Sequence, residues 1–121
     1  MAAGDITHAE LVGTLCTGTL ATVYTVPASR VLIGLETSWL NVHASTTYYR
    51  EMQIIPTGQS AGDRYKVLND QSAGGNGLLP GEPRPYNMNP MAAAGAFIQV
   101  REAGGNANVL SVRFGITLKE V

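Results

Sequence analysis

The segment Val109–Val121 alternates without a break. Leu110, Val112, Phe114, Ile116 and Leu118 fall on one parity, and Ser111, Arg113, Thr117 and Lys119 on the other. Successive side chains of a β-strand point to opposite faces, so this is a half-buried strand. A slip of one residue would carry five apolar side chains into water, which fixes the register. Leu20–Val42 shows the same period in two arms around the corner Pro27–Arg30. Leu20, Tyr24 and Val26 share one parity on the first arm. Val31, Ile33, Leu35 and Trp39 share one on the second, with Glu36 and Ser38 opposite. Pro27 cannot donate to a ladder and presets a turn.

The rest of the chain is built from similar pieces. Glu10–Thr17 reads as a first strand interrupted by Gly13 and Gly18. Met1–His8 before it reads as an N-terminal arm. Thr46–Ile55 is rich in β-branched and aromatic residues, with Tyr48, Met52 and Ile54 on one parity and Tyr49, Glu51 and Gln53 on the water-facing one. A helix is the alternative there, because YYREMQII contains no breaker; the strand-like flanks favour a strand. Arg64–Leu68 and Ala96–Glu102 are further strands, the latter with Ile98 and Val100 inward. Asn69–Gly77 is the loop richest in flexible residues. Leu78–Pro90 carries Pro80, Pro83, Pro85 and Pro90 and is expected to be extended and irregular, with a short strand at most. Gly104–Asn108 reads as a hairpin-type loop.

Six to eight strands with no intervening helices exclude βαβ units. The expected fold is all-β: one antiparallel two-sheet β-sandwich over residues 1–121, jelly-roll-like or Greek-key, with a long Pro/Gly-rich loop region. A chain of 121 residues with 45% hydrophobic residues can bury such a core. Charged residues make up only 14%, against a usual ~25%. That fits a surface partly covered by other subunits, and equally a Thr/Ser/Asn-rich soluble one.

The residues point to no chemistry. Net charge is −1 and no Lys/Arg run exists, so no nucleic-acid footprint is present. No apolar run approaches the ~20 residues of a membrane span, and the N-terminus lacks signal-peptide features, so synthesis and folding in a cytoplasm are expected. Cys16 is the single cysteine and reads as a small buried residue. Asp63, Asp70 and Glu82 are loop acids without EF-hand spacing. His8 and His43 form no metal motif, no GxSxG elbow occurs, and GGNG at 74–77 lacks the Lys-Ser/Thr of a phosphate loop. A Ser/His/Asp triad stays open, since its members need not be close in sequence. Catalytic, cofactor-binding and metal sites are therefore all expected to be absent. Trp39, Phe97 and Phe114 are expected in the core or at its margins. The tyrosines are expected at edges or interfaces, with a sugar-stacking platform as the alternative.

Four landmarks stand in order: TVYTVPASRVLIGLETSWLNV, GLLPGEP, GAFIQVREAGGNANVL and VRFGITLKEV. Together they resemble a group of small tailed-bacteriophage virion structural proteins. Thr25–Ala28 matches that group's corner, Asn41 the end of its long strand, Leu79–Gly81 its turn, Gly95–Val100 its penultimate strand, and Gly115 to Glu120 its close. Ser29 stands where the group usually has Gly, and Pro80–Pro90 is longer than the pattern. The resemblance implies a non-enzymatic β-sandwich component of a virion made in the host cytoplasm. The leading form is a capsid decoration or cement protein that bridges neighbouring subunits; a neck, tail or fibre-base protein is the alternative. It implies a homo-oligomer, a trimer before others, in contact with partners such as the major capsid protein, with no nucleic acid, membrane or cofactor. A carbohydrate-binding module is the second alternative, and an enzyme on a jelly-roll frame the least favoured. The residues expected to make protein contacts are Ile6, His8, Asn69, Leu78, Leu79, Pro80, Pro83, Pro85, Tyr86, Met88 and Pro90.

Overall fold

A computed structural model describes residues 2–71 and 76–121, with only the backbone of Val12. Its strands are β1 (Ile6–Leu15), β2 (Ala21–Thr25), β3 (Arg30–Asn41), β4 (Arg50–Ile55), β5 (Lys66–Asn69), β6 (Pro83–Met88), β7 (Ala92–Ala93), β8 (Phe97–Glu102) and β9 (Leu110–Glu120). One sheet has the order β1-β9-β3-β6, with β7 also on β3; the other has the order β2-β8-β4-β5. All pairings are antiparallel. The chain crosses between sheets at every connection except β4 to β5 and β6 to β7. The result is an antiparallel two-sheet β-sandwich.

The core lies between the sheets and follows the alternation of β9. Leu110, Val112, Phe114, Ile116 and Leu118 are all buried, facing Ile98 and Val100 of β8 and Met52 of β4. Trp39 is fully buried, and its indole Nε1 donates to Thr37 Oγ1 at 2.8 Å. The Thr37 hydroxyl donates onward to the Tyr86 carbonyl at 2.7 Å, so the one polar atom of the indole is satisfied. Phe114 is also in the core, whereas Phe97 alternates with the buried Ala96 and Ile98 and is half-buried.

Several segments differ from the sequence reading. Ile6–His8 is not an arm: these residues pair with Lys119, Leu118 and Thr117, and β1 runs ten residues with a bulge between Leu11 and Thr14. The bulge at Gly13 accommodates the break that suggested a later start. In β3 the register shifts between Leu32 and Gly34, so Leu32 is buried with Leu35, Thr37, Trp39 and Asn41, while Val31 and Ile33 are half-buried. The second arm therefore keeps its expected inward parity only beyond the bulge. Asp63–Tyr65 is a 3-10 turn, and the strand there starts at Lys66. The loop after Glu102 joins strands of different sheets and is not a hairpin; Gly18 lies against it where a Cβ would run into the Gly105 carbonyl. Ser29 has φ 62, a left-handed value that a glycine would adopt at no steric cost. The flexible-loop reading at residues 72–75 lies outside the described residues.

The Pro-rich stretch is a strand. Pro83–Met88 pairs with β3 over six residues, at the edge of its sheet. Asn41 N–H donates to the Glu82 carbonyl, whereas the Pro85 carbonyl points away from β3 and accepts from Arg50. Pro83 and Pro85 thus occupy the positions whose missing N–H would have faced the open edge, where proline costs no ladder bond.

Cys16 lies in the core at one end of the sandwich. Burial, with the nearby Glu102 carboxylate second, pushes its thiol from 9.0 up to about 12. The folded chain holds this proton more tightly than the unfolded chain. The contribution to stability is therefore complete below about pH 9 and lost as pH rises towards 12. Cys16→Ala is expected to flatten the fall of the urea midpoint between pH 9 and 11; equal falls in both chains would refute this.

Candidate functional site

Two regions of the sandwich combine exposed apolar groups with a rigid frame. The first lies at the end where β3 stops and β9 begins. Here Asn41 is fully buried and works as a hub. Its Nδ2 donates to the carbonyls of Thr46 and Leu78, both at 2.8 Å, and its Oδ1 accepts from His43 N–H at 2.9 Å. Its backbone pairs with Glu82 and Gly81. These bonds hold the Leu79–Glu82 turn against the end of β3.

That turn is closed by Glu82 N–H donating to the Leu79 carbonyl at 2.9 Å. Pro80 and Gly81 take its central positions, and Gly81 has φ 74, the left-handed value a type II turn needs there. Glu82 Oε1 accepts from Leu79 N–H at 2.9 Å, and its Oε2 from Arg84 at 2.7 Å. The backbone bond from Leu79 and then the Arg84 guanidinium hold this carboxyl below its usual range. Leu79 projects from the turn, 61% exposed. Leu15, Leu40 and Val42 are exposed at the same end. Leu15 and Leu40 both pair with Ser111, and Leu40 pairs with Pro83, so Leu15, Leu40 and Pro83 lie in one row across four strands.

The second region is an apolar groove of about 500 Å³ at the opposite end, between β4–β5 and the β6–β7 segment. Ile54, Val67, Met88, Pro90, Ala92 and Ala96 line it, with Met91 on its rim. No ionisable side chain is among its lining residues. Along the side of the sandwich between β4–β5 and β6 the two sheets are pinned together. Tyr86 OH donates to the Val67 carbonyl at 2.7 Å. Arg50 Nε lies 2.7 Å from Asp70 Oδ2, an ion pair buried on both sides. Arg50 also reaches the Pro85 carbonyl, so this pair ties β4 to β6 as well. Breaking such a pair on one side typically costs about 3–5 kcal/mol.

Polar groups cluster elsewhere. Glu51 and Gln53, expected to face water, are buried on the outer face of the second sheet. Glu51 accepts from Arg101 at 3.1 Å, Asn69 at 3.2 Å and Gln53 at 3.4 Å, and Lys66 lies 4.0 Å away. The long side chains of neighbouring strands cover it. Glu102 is fully buried too, and accepts from Tyr49 N–H and from both nitrogens of Asn106, which fixes the β8–β9 connection. The outer face of the first sheet bears an open trough of about 570 Å³ with Glu10, Glu36, Ser38, Arg113 and Gly115 along it. Among the described residues no three of His, Cys, Asp and Glu stand together to hold a metal.

The expected contact residues do not form one surface. Leu79, Pro80 and Pro83 are exposed at the first end, and Met88 and Pro90 line the groove at the other. Pro85 is exposed along β6, and Tyr86 is engaged with Val67. Ile6 and His8 lie on β1 at the far edge, where His8 Nδ1 is 3.0 Å from Thr117 Oγ1. Asn69 is half-buried beside Glu51. Leu78 is a core residue, fully buried and bridged to Tyr48, and cannot make an outside contact. Leu15, Leu40, Val42 and the groove residues Ile54, Val67 and Ala96 carry no local sequence signal, because their exposure depends on sheet order. No Tyr lines the groove or the trough, and Trp39 is sealed in the core, so the aromatics assemble no platform at either.

No family model matches the chain, and no curated protein matches it in sequence. Solved structures match it in fold. A chain of the Tobacco streak virus coat protein dimer aligns at TM-score 0.55 and 8% identity over 95% of this chain and 85% of that one. A chain of the cyanophage Pam1 capsid asymmetric unit aligns at 0.51 and 18% identity, over 98% and 87%. A chain of the Bacillus endospore appendages, described as disulfide-linked pili, aligns at 0.51 and 13% identity, over 100% and 94%. At these identities the likeness is one of fold.

Asn41→Ala would leave the buried Leu78 carbonyl without its donor and free the Leu79–Glu82 turn. A loss of at least about 2 kcal/mol in urea unfolding is expected, since each buried orphaned polar group costs about 1–3 kcal/mol. A change within about 0.5 kcal/mol would show that Asn41 is not the hub.

Proposed function

We propose that this chain is a non-enzymatic structural subunit of a virion. The observation that carries the reading is the full-length match in fold to chains described as a viral coat protein and a phage capsid component, with a pilus chain beside them. All three descriptions concern proteins that build ordered assemblies. The sandwich supports the same role. Its core is made of buried apolar side chains, and the large exposed apolar groups among the described residues collect at its two ends. Apolar surface of that kind is what a subunit interface covers.

The finer reading is a capsid decoration or cement protein that bridges neighbouring capsid subunits, as the resemblance of the corner, the Leu79–Gly81 turn and the closing strand implies. A homotrimer and a major capsid partner belong to that reading. The Leu79–Glu82 turn and the Met88–Ala96 segment are its contact elements. The neck, tail or fibre-base role uses the same surfaces on a different partner.

Light scattering behind a sizing column tests this directly. A discrete oligomer is expected, and a threefold mass would favour the decoration form. A monomer at every concentration that also shows saturable glycan binding, lost on Tyr→Ala substitution, would replace the reading with a carbohydrate-binding module.

A further inference from the structure

We infer that two copies of this chain join through the open edge of β1, which pairs antiparallel with β1 of the second copy about a two-fold axis at Ala9 and makes one sheet of the two first sheets; this rests on the assembly reading above. A sheet edge presents unpaired N–H and C=O groups, which a further strand satisfies. The two sides of this sandwich treat their edges differently. On one side β6 carries Pro83 and Pro85, its Pro85 carbonyl accepts from Arg50, and the Val67 carbonyl of β5 accepts from the Tyr86 hydroxyl. On the other side β2 is five residues long with a register shift inside it. β1 beside it runs ten residues and contains neither proline nor lysine. It pairs with β9 alone, and its regular part is Ile6–Leu11, ahead of the bulge.

The ladder shows which backbone groups of β1 face outwards. Leu110 and Glu120, at the two ends of β9, both bond towards β1: the Leu110 carbonyl accepts from Cys16 N–H at 2.7 Å, and Glu120 bonds Gly4 and Asp5. Backbone groups alternate sides along a strand, so the even-numbered residues of β9 hold β1 through their register partners Thr7, Ala9 and Leu11. Ile6, His8 and Glu10 therefore turn their N–H and C=O groups to the open side. For the two sheets to continue one another, residues of equal parity must stand opposite. The two longest two-fold registers within Ile6–Leu11 are then centred on His8 and on Ala9. The first sets His8 against His8 and Ile6 against Glu10. The second sets each His8 against the other copy's Glu10, and unlike groups across a ladder attract where like ones repel. Both side chains are ready for this. His8 Nδ1 is 3.0 Å from Thr117 Oγ1, which leaves Nε2 without a partner among the described residues. Glu10 has no partner there either, and shares its register row with the acidic Glu36 across Gly115. On the inner face the same register sets Thr7 against Leu11. It also covers Ala9, which has the parity of the half-buried Thr7 and Leu11 but is exposed. Such a contact is isologous and gives a dimer, or a larger assembly with an even number of chains.

The test oxidises two single-residue variants of the full chain, Ala9→Cys and Thr14→Cys, at concentrations up to about 1 mM, with light scattering of the unaltered chain in parallel. Both positions are exposed, and Cys16 is buried and stays out of the reaction. On the axis, Ala9 meets its copy as a non-hydrogen-bonded pair with about 4.5 Å between Cα atoms, within the span of a disulfide. A covalent dimer is expected from Ala9→Cys and none from Thr14→Cys. His8→Glu is expected to raise the concentration needed for pairing about tenfold, and His8→Glu combined with Glu10→Lys to restore it. Equal dimer from both cysteine variants, or unweakened pairing in His8→Glu, would overturn the register at Ala9. A discrete oligomer that gives no Ala9→Cys dimer would overturn the edge contact and leave the subunit reading standing. A chain that stays monomeric throughout would overturn both.

Discussion

Trp39 faces Val112 across the ladder between β3 and β9, and every other part of the molecule is placed by that ladder. It runs through eleven register pairs, from Arg30 with Glu120 to Asn41 with Leu110. Its inner face supplies Leu32, Leu35, Trp39 and the five alternating residues of β9 to the core. β1 is added on one side of it and β6 on the other. The two ends of the ladder are also the two ends of the sandwich. Asn41, its last residue on β3, is where the Leu79–Glu82 turn is anchored, and Val31 and Leu32 near its start hold β7 beside the groove.

The parts of the fold set by local alternation were legible in the sequence. β9, β8 and the far half of β3 need only a period of two and a buried face. The parts set by neighbours were not. A bulge at Ile33 reverses the parity of the first residues of β3, and no residue type announces it. Four prolines suggested irregular chain at 78–90, yet an edge strand tolerates Pro83 and Pro85 because their nitrogens face outwards. Glu51 and Gln53 sit on the parity that faces away from the core, as read, but Arg101, Lys66 and Asn69 cover them. Burial of a polar residue by long neighbours on adjacent strands depends on sheet order, which alternation does not encode. The candidate surface followed the same rule: Leu79 and Pro80 were visible as a turn, whereas the groove residues come from β4, β5, β6 and β7 and meet only in three dimensions.

Polar groups fix one side and one end of the sandwich. Arg50–Asp70 and Tyr86–Val67 close one side of the sandwich between β5 and β6. Asn41 and Glu82 stiffen the turn at one end. Both sets add little to net stability relative to an apolar filling, because desolvation offsets most of their attraction. What they fix is geometry: which apolar groups project and where a recess stays open. That geometry suits a subunit whose contacts must form with a defined orientation.

Residue-resolved hydrogen exchange, compared between dilute and assembled protein, tests this account most directly. Added protection at the Leu79–Glu82 turn, the Met88–Ala96 segment and the open edge of β1, with the β3–β9 ladder unchanged, is the predicted result. Protection gained along the outer face of β9 instead, or no gain at any of the three, would contradict it.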